Sequence, residues 1–194
     1  MVERKMIEIV PYQPRWREEF RVLGTELRPA LGDLPLRIDH IGSTSVPHLA
    51  AKDIIDIQVT VAALEPAVEA ALGSVGYRRL THITGDHVPP GASDAAAEWT
   101  KWLFNEPPGR RRVNLHVRVA GRANQRYPLL FRDYLRAHPP IAAAYAQAKL
   151  ALARLHPHDV EAYYDVKDPV CDIIMGGAEE WAAAIQWQLG PSDR

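Results

Sequence analysis

Cysteine is almost missing from this chain: Cys171 is the only one in 194 residues. That excludes an intrachain disulfide and any thiolate zinc cluster. Set in an apolar helical run, Cys171 is expected to serve as core packing. An excess of one charge is also missing. Lys and Arg number 23 against 24 Asp and Glu, giving a formal net charge of −1 and a pI near 6.7. No overall field therefore favours sequence-independent binding of nucleic acid. No apolar run approaches the ~20 residues of a membrane-spanning helix. Met1 to Lys5 lead into Ile7 to Val10, too short and too interrupted for an export signal. No membrane partner is expected, and the expected location is the cytoplasm. Repeats and low-complexity tracts are absent, as is any Gly-x-x-x-x-Gly-Lys-Ser/Thr phosphate loop.

What is present suffices for one substantial core, with 47% hydrophobic residues. We read residues 1–194 as one domain, sheet-rich to about 122 and a helical cap from about 123. Met6 to Val10 alternates like a short strand, and Pro14 opens a helix whose Trp16, Phe20, Leu23 and Leu27 form one apolar stripe to about Ala30. Strands are expected at 36–41, 54–61, 77–81, 99–104 and 113–120, with short helices at 45–51 and 64–72. Residues 82–98 show no firm period and read as a mobile loop. Pro107-Pro108-Gly109 marks a hairpin. Helices follow at about 129–137, 140–155, 159–166 and 169–189, punctuated by prolines. A mixed β-sheet flanked by helices, with a helical C-terminal region, makes the fold class α+β.

The chemistry concentrates in His40-Ile41-Gly42-Ser43-Thr44-Ser45-Val46-Pro47 and the strand that follows it, Asp53-Ile54-Ile55-Asp56-Ile57-Gln58-Val59. A glycine turn lets backbone N–H groups approach a phosphate, and a strand carboxylate can hold a divalent cation against it. A Gly-Ser turn before an acidic strand thus suits phosphoryl or nucleotidyl transfer.

This stretch resembles the signature of the GrpB family, a branch of the polymerase-β-like nucleotidyltransferase superfamily. Tyr12-Gln13-Pro14 with Trp16, Asn114-Leu115-His116-Val117 and Leu130-Phe131-Arg132-Asp133-Tyr134-Leu135-Arg136 resemble further GrpB blocks in order. The resemblance implies a nucleotidyltransferase-like sheet, with Gly42 and Ser43 contacting phosphate. It also implies two carboxylates two residues apart on the next strand, binding a divalent metal, Mg or Mn. The first maps onto Asp56; the second position holds Gln58, a poorer ligand for a hard cation. Asp53 has the wrong parity to replace it. A third acid is expected on a later strand, and His116 stands there, suited to general base work or to imidazole ligation. Asp56 and His116 are therefore the catalytic and tentative metal candidates, each with a purely structural alternative.

Thr44, Ser45, Lys52, Arg118 and Arg132 join Gly42 and Ser43 as phosphate candidates, with His40, Gln58, Lys149 and Lys167 as further cleft candidates. Hydroxyls here also cap short helices, and Arg132 beside Asp133 also reads as a structural ion pair. Arg110-Arg111-Arg112 with Lys101 forms a basic patch whose plain reading is a solvated hairpin tip. His82, Asp86 and His87 have zinc-like side chains without a further ligand. The expected activity is metal-dependent nucleotidyl transfer from a nucleoside triphosphate, or from another phosphorylated small molecule, to an acceptor the sequence does not name. The alternative is a non-catalytic accessory domain that binds a nucleotide or coenzyme A or assists protein folding, since GrpB-like domains also occur fused behind dephospho-CoA kinase. Hydrolysis of a phosphate ester by one metal between Asp56 and His116 is a third possibility.

Overall fold

The computed structural model describes residues 6–194. Met1 to Lys5, read above against an export signal, lie outside the described residues. The elements in order are α1 (Arg15–Leu31), β1 (Pro35–Ile41), a single 3-10 turn (Ser43–Ser45), β2 (Ile55–Val61), α2 (Pro66–Ser74), β3 (Arg78–Arg79), α3 (Ala96–Trp99), β4 (Trp102–Asn105), β5 (Val113–Val119), α4 (Ala123–Ala137), α5 (Pro139–Leu155) and α6 (Val160–Ile185).

Period two sorts the sheet. Ile55, Ile57, Val59 and Val61 share one face of β2, and parallel pairing sets Val113, Leu115 and Val117 of β5 beside them. The sheet order is β1-β2-β5-β4-β3, with β1 antiparallel to β2 and β4 antiparallel to both β5 and β3. Over the apolar face α1 lays Trp16, Phe20, Leu27 and Leu31, and α2 lays Val68 and Leu72. The opposite face carries Asp56, Gln58 and Thr60 beside Asn114, His116 and Arg118. Helix α4 covers it, its Gln125 carbonyl accepting from Gln58 Nε2 at 2.9 Å. A second core forms there from Val46 and Leu49 after the turn, Leu130 and Tyr134 of α4, Tyr145 of α5 and Met175 and Ala178 of α6.

Several local expectations change. Only Val10 of the first expected strand pairs, in one bridge with Ala51. The helix expected at 45–51 is only the 3-10 turn, because Pro47 offers no amide donor and His48 sits at φ 66°. Residues 159–189 do not split at Pro169; α6 runs through it, since both halves bury side chains, Tyr163 on one side and Cys171, Met175, Ala178 and Ala182 on the other. Along the free edge of β1 the chain's end closes the sheet: Arg194 N–H donates to the Ile38 carbonyl at 3.1 Å, and Asp193 accepts from His40 N–H at 3.0 Å. Such cover removes an edge open to intermolecular pairing.

Replacing Ile57, which is wholly buried, by alanine is expected to cost about 2–5 kcal/mol in urea unfolding. Ile173→Ala, at a residue 77% exposed, should stay within about 0.5 kcal/mol.

Candidate functional site

The end of β1 delivers Gly42 at φ 68° and ψ −174°, a backbone region essentially reserved for glycine. Space demands glycine as well. A Cβ here would collide with Asp56 Oδ2 and lie 2.9 Å from its Cγ. The turn then closes on itself: Ser45 returns both its N–H (3.2 Å) and its hydroxyl (2.6 Å) to the Gly42 carbonyl. Thr44 Oγ1 pairs with His40 Nε2 at 3.0 Å, and the His40 ring stacks on Phe20 with centroids 4.7 Å apart. Burial pushes His40 down to about 3, so it is neutral at pH 7. His40, Thr44 and Ser45 thus build the turn. Ser43 alone faces outward, where its Oγ accepts from Lys149 Nζ at 2.8 Å.

Asp56 stands against this turn on β2. Asn114, its cross-strand neighbour, donates Nδ2 to Oδ1 at 2.8 Å. His116 Nε2 lies 4.0 Å from the same oxygen, an ion-pair rather than a hydrogen-bond distance. The Asp56 and His116 side chains keep 25% and 15% of their surface open, so a small ligand can reach both. Burial pushes the Asp56 carboxyl up, but the nearby His116 ring and the Asn114 hydrogen bond more than offset it, and Asp56 is ionised at neutral pH. His116 is held down at about 4, by burial and then by the Arg118 charge. Arg118 also fixes its tautomer. A guanidinium only donates, so at 3.3 Å His116 Nδ1 is the acceptor and Nε2 carries the proton.

Three lysines from separate segments lie near one another, one of them bonded to the turn. Lys149 of α5 is buried, with Nζ bonded to Ser43 and to the Ala50 carbonyl at 2.6 Å and lying 4.6 Å from the Tyr145 ring centroid. Lys52 sits 4.3 Å over the Tyr163 ring and 4.7 Å over that of Tyr164. Lys167 of α6 lies 5.3 Å over Tyr164 and bonds Asp168 at 3.1 Å. They feel one another's charge: burial, then Lys167, pushes Lys149 down to about 7 and Lys52 down to about 8. Asp56 pulls both the other way.

Other sequence candidates are engaged elsewhere. Arg118 makes a two-pronged pair with Asp86, both bonds at 2.9 Å, and donates to Gln58 Oε1 at 2.7 Å. Neither Arg118 nor Gln58 therefore presents a free group to a phosphate or a metal. Arg132 donates to the His40 carbonyl (3.0 Å), Asp193 (2.9 Å) and Asp133 (2.8 Å), a structural junction. Asp53 accepts from Trp16, Arg15 and Arg111, fastening α1 to the start of β2. Arg111 is tied there and to Glu19, which holds this member of the basic patch at α1 and the start of β2. The zinc-like trio disperses, His87 facing Asp172 while Asp86 faces inward. Among the described residues no three His, Cys, Asp or Glu side chains stand together as metal ligands.

The divalent cation implied by the resemblance does not fit this donor set. Asp56 is the one open carboxylate on the face, Gln58 is wholly buried with Oε1 held by Arg118, and the protonated Nε2 of His116 has no lone pair to give. The structure places His116 beside Asp56 with Nε2 toward it, Arg118 on Asp86 and Gln58, and Arg132 on Asp193 and Asp133.

Sequence reasoning undervalued Asp86. It accepts from Lys101 at 2.5 Å, from Arg118 twice and from Asn124 at 3.1 Å, which ties the irregular 82–95 segment to the back of His116. Burial would lift its carboxyl, but Arg118 and then Lys101 hold it far below the usual range. Nothing local in the sequence marks it, because its partners lie 15 to 38 residues away. A separate recess of about 670 Å³ opens elsewhere, lined by Leu23, Leu27, Val75, Tyr77, Pro107 and Arg110. None of the residues around the turn belongs to it.

Comparison with known proteins identifies relatives of the whole fold. A family model described as GrpB protein matches residues 6–176. The dephospho-CoA kinase of Mycobacterium leprae (strain TN) is 37% identical over 198 residues, covering 93% of this chain and 48% of that protein. The chain thus spans about half the length of the first curated relatives it matches. The crystal structure of the conserved protein GrpB from Enterococcus faecalis superposes with a TM-score of 0.72 at 31% identity, over 90% of this chain and 99% of that one. A fainter likeness, with a TM-score of 0.47 and 11% identity over 73% of this chain and 41% of that one, is to Cid1 in complex with its short product ApU.

Gly42→Ala is expected to destabilise by about 1–3 kcal/mol through backbone strain, plus the collision with Asp56. In a double-mutant cycle Asp56→Ala should recover only the collision part. Asp86→Asn should cost a few kcal/mol at pH 7, because it leaves two buried cations poorly paired. The Asp86 carboxyl is depressed in the fold, so its contribution is present above the unfolded value near ~3.9 and lost as pH falls below it. Denaturation curves of wild type and variant should therefore converge in acid.

Proposed function

The chain belongs to the GrpB family, and from that membership and the lysine cluster around Lys149, which bonds Ser43 of the turn, we propose that it binds a phosphorylated small molecule. The class is a nucleoside triphosphate or a coenzyme A-like ligand. One observation carries this reading: Lys52, Lys149 and Lys167, from a loop and two helices, lie within one another's field and that of Asp56, and Lys149 bonds Ser43 of the turn. Clustered ammonium groups repel one another, and a phosphate relieves that cost as it binds.

Nucleotidyl transfer is the second reading, favoured by Asp56 being ionised, open and pressed against the turn. A carboxylate so placed can take the proton of an acceptor hydroxyl. The kinase name of the Mycobacterium leprae relative belongs to a protein about twice as long, and the proposal here is ligand binding rather than that whole protein's activity.

Thermal melts with nucleoside triphosphates and coenzyme A test the reading. At 100 times Kd a ligand should add about 2.7 kcal/mol, several degrees for a chain of this size. The shift is expected to survive a chelator, because the donor set suits anions rather than Mg²⁺, and to shrink in Lys52→Ala. Asp56→Asn should keep the shift and abolish any turnover. Affinity should fall as pH rises through about 8, where Lys52 loses its proton. If none of these compounds moves the melting temperature, the proposal fails.

A further inference from the structure

We infer that Ser43 is a nucleophile and Lys149 its base, so that the pocket carries a nucleotidyl group covalently on the Ser43 hydroxyl. The inference rests on the phosphate-ligand reading and assigns that site a chemical step.

Three hydroxyls stand in the turn, and two are closed into it: Thr44 on His40, and Ser45 on the Gly42 carbonyl. Ser43 is the one whose oxygen meets a basic nitrogen, Lys149 Nζ at 2.8 Å. The second contact of that nitrogen, the Ala50 carbonyl at 2.6 Å, can only accept. It therefore fixes one N–H of Lys149 and turns the rest of the amine toward Ser43. With only 2% of its surface exposed, Lys149 is shielded from water. Its nitrogen bonds only these two oxygens among the described residues, and no carboxylate closes on it. Lys52 and Lys167 disfavour a third positive charge beside them. A lysine whose ammonium form is disfavoured by burial and by neighbouring cations gives up its proton near neutral pH and can then activate a serine. No other base reaches this hydroxyl among the described residues; His116 points a proton, not a lone pair, into the pocket.

The step balances with a nucleoside triphosphate as co-reactant. Ser43 Oγ attacks the α-phosphorus and forms the Oγ–P bond. The bond from that phosphorus to the oxygen bridging the β-phosphate breaks, and pyrophosphate leaves with the electron pair. The hydroxyl proton passes to Lys149 Nζ, while Lys52 and Lys167 supply charge for the departing pyrophosphate.

A fluorophosphonate probe, which reports serine nucleophiles, and ATP labelled at the α- or γ-phosphate test this on wild type, Ser43→Ala and Lys149→Met, each checked for folding by its melt. The expected result is an adduct that peptide mass spectrometry maps to Ser43, carrying the α- but not the γ-label and lost in both variants. If Lys149→Met does not fold, the wild-type pH profile decides. Lys149 faces Lys52, Lys167, Cys171 and Asp56, with Tyr145 on its own helix. The probe rate should climb about tenfold per pH unit below about 7 and level off above it. Folded protein with no Ser43 adduct, labelling indifferent to Lys149, or a flat profile would overturn the inference. Nucleotide melts on the same samples separate the failures. A shift without an adduct removes the nucleophile and leaves the binding site; no shift removes the phosphate-ligand reading and nucleotidyl transfer with it.

Discussion

A sheet buried on both faces is pressed to pair the polar side chains it carries, because an unpaired polar group away from water costs about 1–3 kcal/mol and an unpaired charge more; here the Thr60 hydroxyl is left without a partner. β2 and β5 put three polar residues each on the face beneath α4. Gln58 is answered by the Gln125 carbonyl and Arg118, and Arg118 by Asp86. Asp86 must in turn leave the 82–95 segment and point inward. The irregular segment, the helix above it and the tautomer of His116 all follow from that chain of partners. Asp56 keeps solvent access on this face, and Gly42 yields the room for its carboxylate.

The sheet was largely legible in the sequence. Alternation along residues 55–61 and 113–119 separates the two faces by parity alone, and the Gly-Ser turn announces itself by residue type. Helix boundaries were less legible where a proline was read as a stop. Pro169 removes one backbone hydrogen bond, a loss smaller than the burial of the side chains flanking it on α6. The short helix expected after the turn failed for a local reason, Pro47 followed by a left-handed His48.

The candidate site was legible as a list of residues but not as a set of roles. Parity correctly puts Asp56, His116 and Arg118 on one face, yet it does not say which of them answers another. Arg118 and Arg132 look like phosphate ligands in one dimension; in three they are internal struts, because their partners Asp86 and Asp193 come from distant segments. Lys149 and Lys167 look like ordinary helix-surface lysines one turn after a tyrosine. Only the packing of α5 and α6 turns them toward the same point.

That packing has a mechanical side. Ser43 and Asp56 belong to the sheet layer, whereas Lys149 and Lys167 ride on α5 and α6, which meet that layer through the second core. A molecule held between them would work as a clasp across two layers. Its grip would resist their separation as well as local fraying, so occupancy should register as slower amide exchange in α5 and α6, far from any atom the molecule touches.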